Sequence, residues 1–218
     1  MRSKPARGDQ RLEEALADLA GALNALAVPW MIIGGIAVIA RGVRRMTTDI
    51  DAAVRGDRAD VGTLLRALKK SRIVPRIEDA EAFASESLVL LLKHASTGVE
   101  FDVSMAWTDF EQDAIAESSI ATFGSVKAPM ARPEDLVVFK TIAGRPRDIE
   151  DASALLVLYP KLDRDRIRER VKELAALADQ PELASGLDTA IAIATKTTSK
   201  IRRPSARDAK PKPRRRGR

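Results

Sequence analysis

Three aspartates are spaced so that their side chains could act on one ligand. Asp49 and Asp51 are two apart in residues 49–54, whose pattern predicts a strand, so both carboxylates point to the same face. Asp102 lies in residues 99–105, where polar and apolar side chains alternate. Crowded carboxylates repel one another and lose hydration on burial, so such a cluster is normally stabilised by a cation. Hard oxygen ligands in a chain without cysteine favour Mg²⁺ or Mn²⁺ over zinc.

A pair of glycines precedes these acids in the chain. Gly34 and Gly35 follow a short apolar run, residues 30–33, that predicts a buried strand, and a helix is expected from Ile36 to Arg41. Backbone N–H groups at such a helix start can bind an anion, and glycine lets the anion approach closely. A phosphate site beside a carboxylate cluster that holds a cation is the arrangement needed for in-line displacement at phosphorus.

Each of these signals by itself has an ordinary structural explanation. Most Gly-Gly pairs are turns, and acids are common at exposed strand ends. The combination favours chemistry, because a glycine turn, an Asp-x-Asp strand and a later acid on an alternating strand occur in this order. His94, the single histidine, lies on a predicted buried strand and is interpreted as structural rather than as a catalytic base.

The same motifs resemble those of a known superfamily. Ile33-Gly34-Gly35 followed by Asp49-Ile50-Asp51 is similar to the signature of the DNA polymerase β-like nucleotidyltransferases, and Asp102 matches their third acid. Two further segments resemble the small bacterial branch that includes AbiEii-type and MenT-type toxins. They are the Arg-x-Thr-x-Asp lead-in at Arg45 to Asp49 and the Lys…Arg-Asp-x-x-Asp element within residues 139–151. The resemblance covers residues 30–155.

The resemblance implies a role for each acid and each glycine. Gly34 and Gly35 would hold the triphosphate of an NTP. Asp49 and Asp51 would bind both metal ions. Asp102 would ligate the metal ion that lowers the pKa of the acceptor hydroxyl, and it could itself accept the proton.

The resemblance also implies roles for four residues outside the acid cluster. Lys140 would contact the nucleotide phosphates, and Asp148 would orient Lys140 or the acceptor. Arg45 would touch a phosphate or the aspartates, and Thr47 belongs to the same nucleotide-binding lead-in. Two structural alternatives stay open: Lys140 could extend its ammonium group from an apolar helix to solvent, and Asp148 and Asp151 could pair with nearby arginines at a helix start.

The remaining patterns predict an α/β fold. An amphipathic helix is expected over residues 10–27 and another over 58–70. A hairpin is expected from strands 88–94 and 99–105, the first buried on both faces, with one more strand or strand pair in 120–128. The expectation is a polymerase β-like nucleotidyltransferase: a mixed sheet of four to six strands with packed helices. A helical C-terminal half follows, with helices at 133–143, 147–158, 163–177 and 182–194.

Charge is concentrated at the C-terminal end. The chain carries a net charge of +6, but residues 196–218 hold eleven Lys or Arg and one acid, which leaves −4 for residues 1–195. The predicted organisation is therefore a disordered N-terminus (1–9), a nucleotidyltransferase core (10–130), a helical C-terminal part (131–195) and a basic disordered tail (196–218). The tail is either a tether that binds RNA or DNA by counterion release, or a solvated terminus without a partner.

The predicted function is transfer of a nucleoside monophosphate from an NTP to an acceptor hydroxyl. RNA such as tRNA is the expected acceptor, because of the basic tail and the toxin-like motifs, and a toxin of this kind would have an antitoxin partner. The alternatives are nucleotidylation of a protein or small molecule, or a catalytically silent nucleic-acid-binding module. The most apolar stretch, residues 25–40, is shorter than the roughly 18 residues of a membrane span, so no membrane partner and a cytoplasmic location are expected.

Overall fold

The computed structural model describes residues 7–56 and 61–202, and it contains one seven-stranded sheet in that part of the chain. The strands are β1 (Trp30–Ile32), β2 (Asp49–Val54), β3 (Ile73–Pro75), β4 (Val89–His94), β5 (Glu100–Met105), β6 (Ser119–Phe123) and β7 (Val126–Met130). The helices are α1 (Arg7–Ala25), α2 (Gly34–Ala40), α3 (Val61–Lys70), α4 (Ala80–Ser87), α5 (Asp109–Ala116), α6 (Pro133–Ala143), α7 (Pro146–Leu158), α8 (Arg164–Leu177) and α9 (Ser185–Arg202).

The sheet is mixed, as the sequence predicts. Its strand order is β3-β4-β5-β2-β1-β7-β6. The pairs β2–β5 and β1–β7 are parallel, and the other neighbouring pairs are antiparallel. Because β2 and β5 lie side by side at the centre, the two acid-bearing segments are neighbours in space. The fold class is therefore the expected α/β arrangement of a sheet with packed helices.

The sheet has more strands than the four to six predicted. β3 was not predicted because it is only three residues long and ends at Pro75, and a proline disfavours a strand prediction. Proline is tolerated there because β3 is an edge strand that pairs only with β4. The segment 120–128 forms parts of two strands, β6 and β7, which pair as an antiparallel hairpin.

The first strand of the predicted hairpin is buried on one face only, which corrects the expectation of two buried faces. Leu90, Leu92 and His94 are buried, whereas Lys93 is exposed and the alternate positions are half-buried. A strand needs alternating burial when one face packs on the core. The run of leucines concealed this alternation, since Leu91 looks the same as its buried neighbours in sequence.

The helices after the sheet follow local signals closely. α6 begins with Pro133 at its first turn and ends at Gly144, whose φ of 67° permits a left-handed cap. α6 packs against α7 and α8, and α7 packs against α9. This packing brings the polar residues of α6 and α7 beside the carboxyl-bearing face of the sheet. α4 and α5 were not predicted, although a capping box at Thr108 and Glu111 marks the start of α5.

Helices extend into both of the ends that were predicted to be disordered. α1 begins at Arg7, so residues 7–9 are helical rather than disordered. α9 continues to Arg202, so residues 196–202 belong to a helix and not to the tail. Thr197 and Thr198 donate side-chain hydrogen bonds to carbonyls one turn earlier, which suits them to a helix. Residues 1–6 and 203–218 of the predicted ends lie outside the described residues. Among the helices that the structure describes, none has the length and apolarity needed to cross a membrane.

Candidate active site

The three aspartates of the sequence motifs lie on two neighbouring strands. In the parallel pair β2–β5, Asp51 lies directly opposite Asp102, and Asp49 lies opposite Glu100. Adjacent strands are about 4.8 Å apart, and paired residues project to the same face. The side chains of Asp49, Asp51 and Asp102 therefore emerge from one small area of the sheet.

The acid cluster carries negative charge that its surroundings only partly compensate. Burial raises the pKa of Asp51, the charge of Asp49 and that of Asp102 raise it further, and the nearby Lys140 acts against them. Burial also raises the pKa of Asp102; Arg76 lowers it, but the raised direction prevails. Both carboxylates are thus harder to ionise than an exposed aspartate, and a cation bound beside them would relieve this cost.

The carboxylates currently bind protein partners instead of converging on one point. Asp102 accepts a hydrogen bond from Arg76, and Asp49 accepts one from the Thr47 hydroxyl at 2.7 Å. Across the described part of the chain, no three or more acid, histidine or cysteine side chains are arranged to enclose a metal ion. The donors nevertheless suit Mg²⁺, which is usually held by one or two carboxylates together with substrate phosphates. Asp49, Asp51 and Asp102 are the residues that could hold it.

The two glycines form the wall next to Asp51, and neither tolerates a side chain. Gly34 has φ +61°, and a Cβ atom there would lie 1.7 Å from Oδ2 of Asp51. A Cβ atom on Gly35 would lie 2.4 Å from the Thr47 hydroxyl oxygen. The backbone N–H of Gly35 is hydrogen-bonded to the Asp51 carboxylate and lowers its pKa slightly against the larger raising effects. The glycines therefore let α2 start against the acid cluster.

Lys140 is a buried member of this site rather than a side chain that extends to solvent. It is 7% exposed, and its Nζ lies 2.7 Å from Oδ1 of Asp148 and 3.5 Å from Oδ2 of Asp151. Arg145 Nε donates to the other oxygen of Asp148 at 2.7 Å. Burial raises the pKa of Asp148, but the hydrogen bonds from Lys140 and Arg145 outweigh it, so the net shift is downward. In this network, the negative charge of Asp148 is compensated by the neighbouring cations Lys140 and Arg145.

Asp151 is a member of the site to which the sequence patterns assigned no role. The sequence left two interpretations open for it, membership of the Lys…Arg-Asp-x-x-Asp element or a pair with a nearby arginine; in the structure it forms an ion pair with Arg45 and also lies 3.5 Å from Lys140. Asp148 and Asp151 are three apart on α7 and so share one face of the helix, and both belong to the Lys…Arg-Asp-x-x-Asp element; these two signals could have indicated a common role. The contact with Arg45 could not be predicted, because it joins positions 106 residues apart.

A second missed residue is Arg76, which follows the unpredicted edge strand β3. Its guanidinium group bridges Glu100 and Asp102 on β5. The side chain thereby holds Asp102 to one side of the cluster. Because β3 itself was not predicted, no pattern in the sequence connected Arg76 with Asp102.

All the predicted site residues except Gly34 line one cleft of about 410 Å³, and Gly34 adjoins it through Asp51. The lining consists of Gly35, Arg45, Met46, Thr47, Thr48, Asp49, Asp51, Asp102, Lys140, Arg145, Arg147 and Asp148. A second cleft, of about 360 Å³, shares Thr47, Thr48 and Asp49 with it and extends toward Gly98 and Glu100. A second ligand-sized space therefore adjoins the aspartate cluster.

His94 is not part of this cleft. It is fully buried, with Nε2 2.9 Å from Oδ2 of Asp18 and Nδ1 2.9 Å from the Thr97 hydroxyl oxygen. It joins α1 to the turn after β4, which agrees with the structural role expected from sequence.

The family of the chain follows from a comparison with known families. A family described as nucleotidyltransferases of unknown function (DUF6036) matches residues 10–185, most of the chain. The chain belongs to this nucleotidyltransferase family. Its match includes both the aspartate strands and the α6–α7 network. The narrower resemblance to AbiEii-type and MenT-type toxins stays a prediction from the sequence motifs.

Two solved structures share the fold. A solution structure of the antibiotic-resistance factor ANT(2'')-Ia is 17% identical, with a TM-score of 0.55, and the match covers 78% of this chain and 95% of that one. A crystal structure of ANT(2'')-Ia in complex with adenylyl-2''-tobramycin is 18% identical, with a TM-score of 0.50, covering 79% and 99%. At such low identity the likeness extends to the fold alone. No curated protein matches the sequence of this chain significantly.

Proposed function

We propose that this protein transfers a nucleoside monophosphate from an NTP to an acceptor hydroxyl with the help of Mg²⁺ or Mn²⁺. The observation that carries the proposal is the register of β2 and β5, which places Asp49, Asp51 and Asp102 on one face beside Gly34 and Gly35. Three acids beside a glycine-lined helix start, in a cleft that also contains buried and exposed cations, suit a polyphosphate and its metal ions.

The side chains divide the work along the cleft. Asp49 and Asp51 would hold the metal ions, and a metal ion bound there would neutralise phosphate charge and lower the pKa of the acceptor hydroxyl. Asp102 accepts the proton of that hydroxyl as the general base. Arg76 positions Asp102 before the substrate arrives.

The α6–α7 side of the cleft binds the phosphates. Lys140 contributes a positive charge; Asp148 fixes its position by accepting a hydrogen bond from its ammonium group, and Asp151 forms a longer ion pair with it at 3.5 Å. Arg45, which is held by Asp151, and Thr47 stand at the same wall. Gly34 and Gly35 let the start of α2 lie directly against Asp51 and Thr47, because a Cβ atom at either glycine would collide with one of these side chains.

RNA remains the proposed acceptor, supported by the charge of the tail, most of which lies beyond the described residues. A small-molecule acceptor is the second candidate, favoured by the fold shared with ANT(2'')-Ia, whose complex contains adenylyl-2''-tobramycin. A catalytically silent module is disfavoured, because such a module has no use for three crowded carboxylates. A toxin role, with an antitoxin partner and a cytoplasmic location, is proposed from the motif resemblance alone.

The test is a labelling experiment with the purified protein and Mg²⁺. Each α-³²P-labelled NTP is incubated with total tRNA, or with tobramycin, and the products are separated on gels and by thin-layer chromatography. Asp49→Asn is the inactive control, and Asp113→Asn, which alters an exposed acid that pairs with Arg170, is the matched active control. Label on RNA that requires Asp49 supports the RNA acceptor, and label on tobramycin supports the small-molecule one. Absence of transfer and of pyrophosphate release with every NTP would contradict the proposed reaction.

A further inference from the structure

One side chain in the catalytic cleft does not fit its polar surroundings. Met46 is 81% exposed, yet it lines the cleft and is the one large apolar side chain among its described lining residues. Its neighbours in the chain, Arg45 and Thr47, both belong to the proposed phosphate side of the site. An exposed methionine gains nothing from folding, because its apolar surface stays in water.

The backbone at Met46 is held firmly even though its side chain is exposed. Arg45 Nε donates to the Met46 carbonyl at 3.3 Å, and Arg147 Nη2 donates to the same oxygen from α7. Arg45 is itself fixed by its buried ion pair with Asp151. Met46 is therefore presented at a defined position on the rim of the cleft, and the exposed guanidinium group of Arg147 lies next to it.

A nucleotide needs two different surfaces from such a cleft. Its phosphates need positive charge and hydrogen-bond donors. Lys140 provides a cation, the glycines provide backbone N–H groups, and the aspartates would bind metal ions. Its base is a flat aromatic ring, which needs apolar or planar contacts on its two faces. Methionine sulfur and methyl groups contact aromatic rings favourably, and a guanidinium plane stacks on them. In the described lining of the cleft, Met46 and Arg147 are the pair that combines these properties.

We infer that Met46 and Arg147 hold the base of the NTP between them, and this inference rests on the proposed function. Both side chains contact the faces of the base and not its hydrogen-bonding edges. Every nucleobase has such faces, so contacts of this kind tolerate all four bases. The protein accordingly accepts ATP, GTP, CTP and UTP with affinities within about tenfold of one another, as expected when no edge is read.

The experiment compares nucleotides with a ligand that lacks the base. Dissociation constants for the four NTPs and for inorganic tripolyphosphate are measured by calorimetry in Mg²⁺ for the wild type, Met46→Ala, Met46→Leu and Arg147→Lys. Ile120→Ala is the matched control, because Ile120 is also exposed, at 66%, but lies on β6 outside the cleft lining. Circular dichroism and thermal unfolding establish that each variant is folded.

Met46→Ala is expected to weaken the binding of every NTP by roughly five- to tenfold, since about one to two methylene-sized contacts with the base are lost. Tripolyphosphate affinity should not change. Met46→Leu should recover most of the loss, Arg147→Lys should weaken the NTPs but not tripolyphosphate, and Ile120→Ala should behave as wild type.

Two results would overturn the inference while leaving the proposed function standing. One is unchanged NTP affinity in Met46→Ala, and the other is an equal loss for NTPs and tripolyphosphate, which would place Met46 at the phosphates. A preference above about 100-fold for one base would also contradict it, because contacts to base faces cannot discriminate so strongly. Failure of the folded wild type to bind any NTP would instead count against the proposed function itself.

Discussion

The acid cluster on β2 and β5 and the charge network between α6 and α7 are opposite solutions to burying aspartates. Burial and neighbouring negative charge raise the pKa of Asp51. In the network, Lys140 and Arg145 overcome burial and lower the pKa of Asp148. In the first region, the free-energy cost of keeping buried carboxylates ionised would be relieved by a bound cation. In the second region, the charges of the carboxylates are already compensated by Lys140 and Arg145. This difference supports the proposal that the strands supply the reactive centre, whereas α6 and α7 supply its fixed support and the phosphate-binding wall.

The largest expected effect is loss of activity when the acid cluster is broken. Asp51→Asn should lower nucleotidyl transfer by about 10³-fold or more, since a metal ligand is lost. The free energy of unfolding should stay equal to that of the wild type or rise, because a repelled, buried charge is removed. Transfer assays and urea unfolding measure the two quantities. Wild-type activity in this variant would place the reactive centre elsewhere.

For the charge network between α6 and α7, the expected effect is a loss of stability. Asp151→Ala should lower the free energy of unfolding by roughly 3 kcal/mol, because the buried charges of Arg45 and Lys140 lose a partner. Urea unfolding followed by circular dichroism measures this, with Asp165→Ala as the control because Asp165 is fully exposed. Equal stability of both variants would mean that the network is not the support proposed here.

A smaller effect is expected when the close contact between the Gly34 backbone and the Asp51 carboxylate is disturbed. Gly34→Ala places a methyl group against the Asp51 carboxylate at a positive φ, so about 1–2 kcal/mol of stability should be lost to backbone strain alone. Displacement of Asp51 should lower activity as well. Gly21→Ala is the control, because a Cβ atom at Gly21, in the helix α1, would meet no atom within 4 Å. Full activity of Gly34→Ala would show that the contact is not needed.

The smallest expected effect is a difference in pH dependence, which sharpens the comparison. Asp148 has a lowered pKa, so its stabilising contribution is present above its unfolded pKa, near 3.9, and is lost as the pH falls through its folded value. Asp51 has a raised pKa, so it destabilises the fold increasingly as the pH rises from about 3.9 through its folded value.

Unfolding of the Asp148→Asn and Asp51→Asn variants between pH 3 and pH 8 tests these opposite signs. Asp148→Asn should be less stable than wild type at neutral pH, and the deficit should shrink in acid. Asp51→Asn should match or exceed wild type at neutral pH, and any advantage should vanish in acid. Parallel pH curves for the two variants would show that the two regions do not differ in charge compensation.

Local patterns were sufficient for the elements that carry the site. The bounds of β2 and of α6 match the predictions because a period of two, an initial proline and a terminal glycine are written in neighbouring residues. β3 escaped prediction because its proline is acceptable only at a sheet edge, and the edge position depends on strand order. The end of α9 was misplaced because the basic composition after residue 195 also occurs in disordered chains.

By itself, the sequence determined that Asp49 and Asp51 share a strand face, that two glycines precede them and that Asp102 follows on an alternating strand. These features depend on the spacing of residues along the chain, because in a strand this spacing decides to which face each side chain points. Only the tertiary structure decided that Asp102 lies opposite Asp51, that Arg76 holds Asp102 and that Asp151 fixes Arg45 and Lys140. Strand register and helix packing bring these residues together, and both depend on burying the whole apolar core rather than on any local pattern.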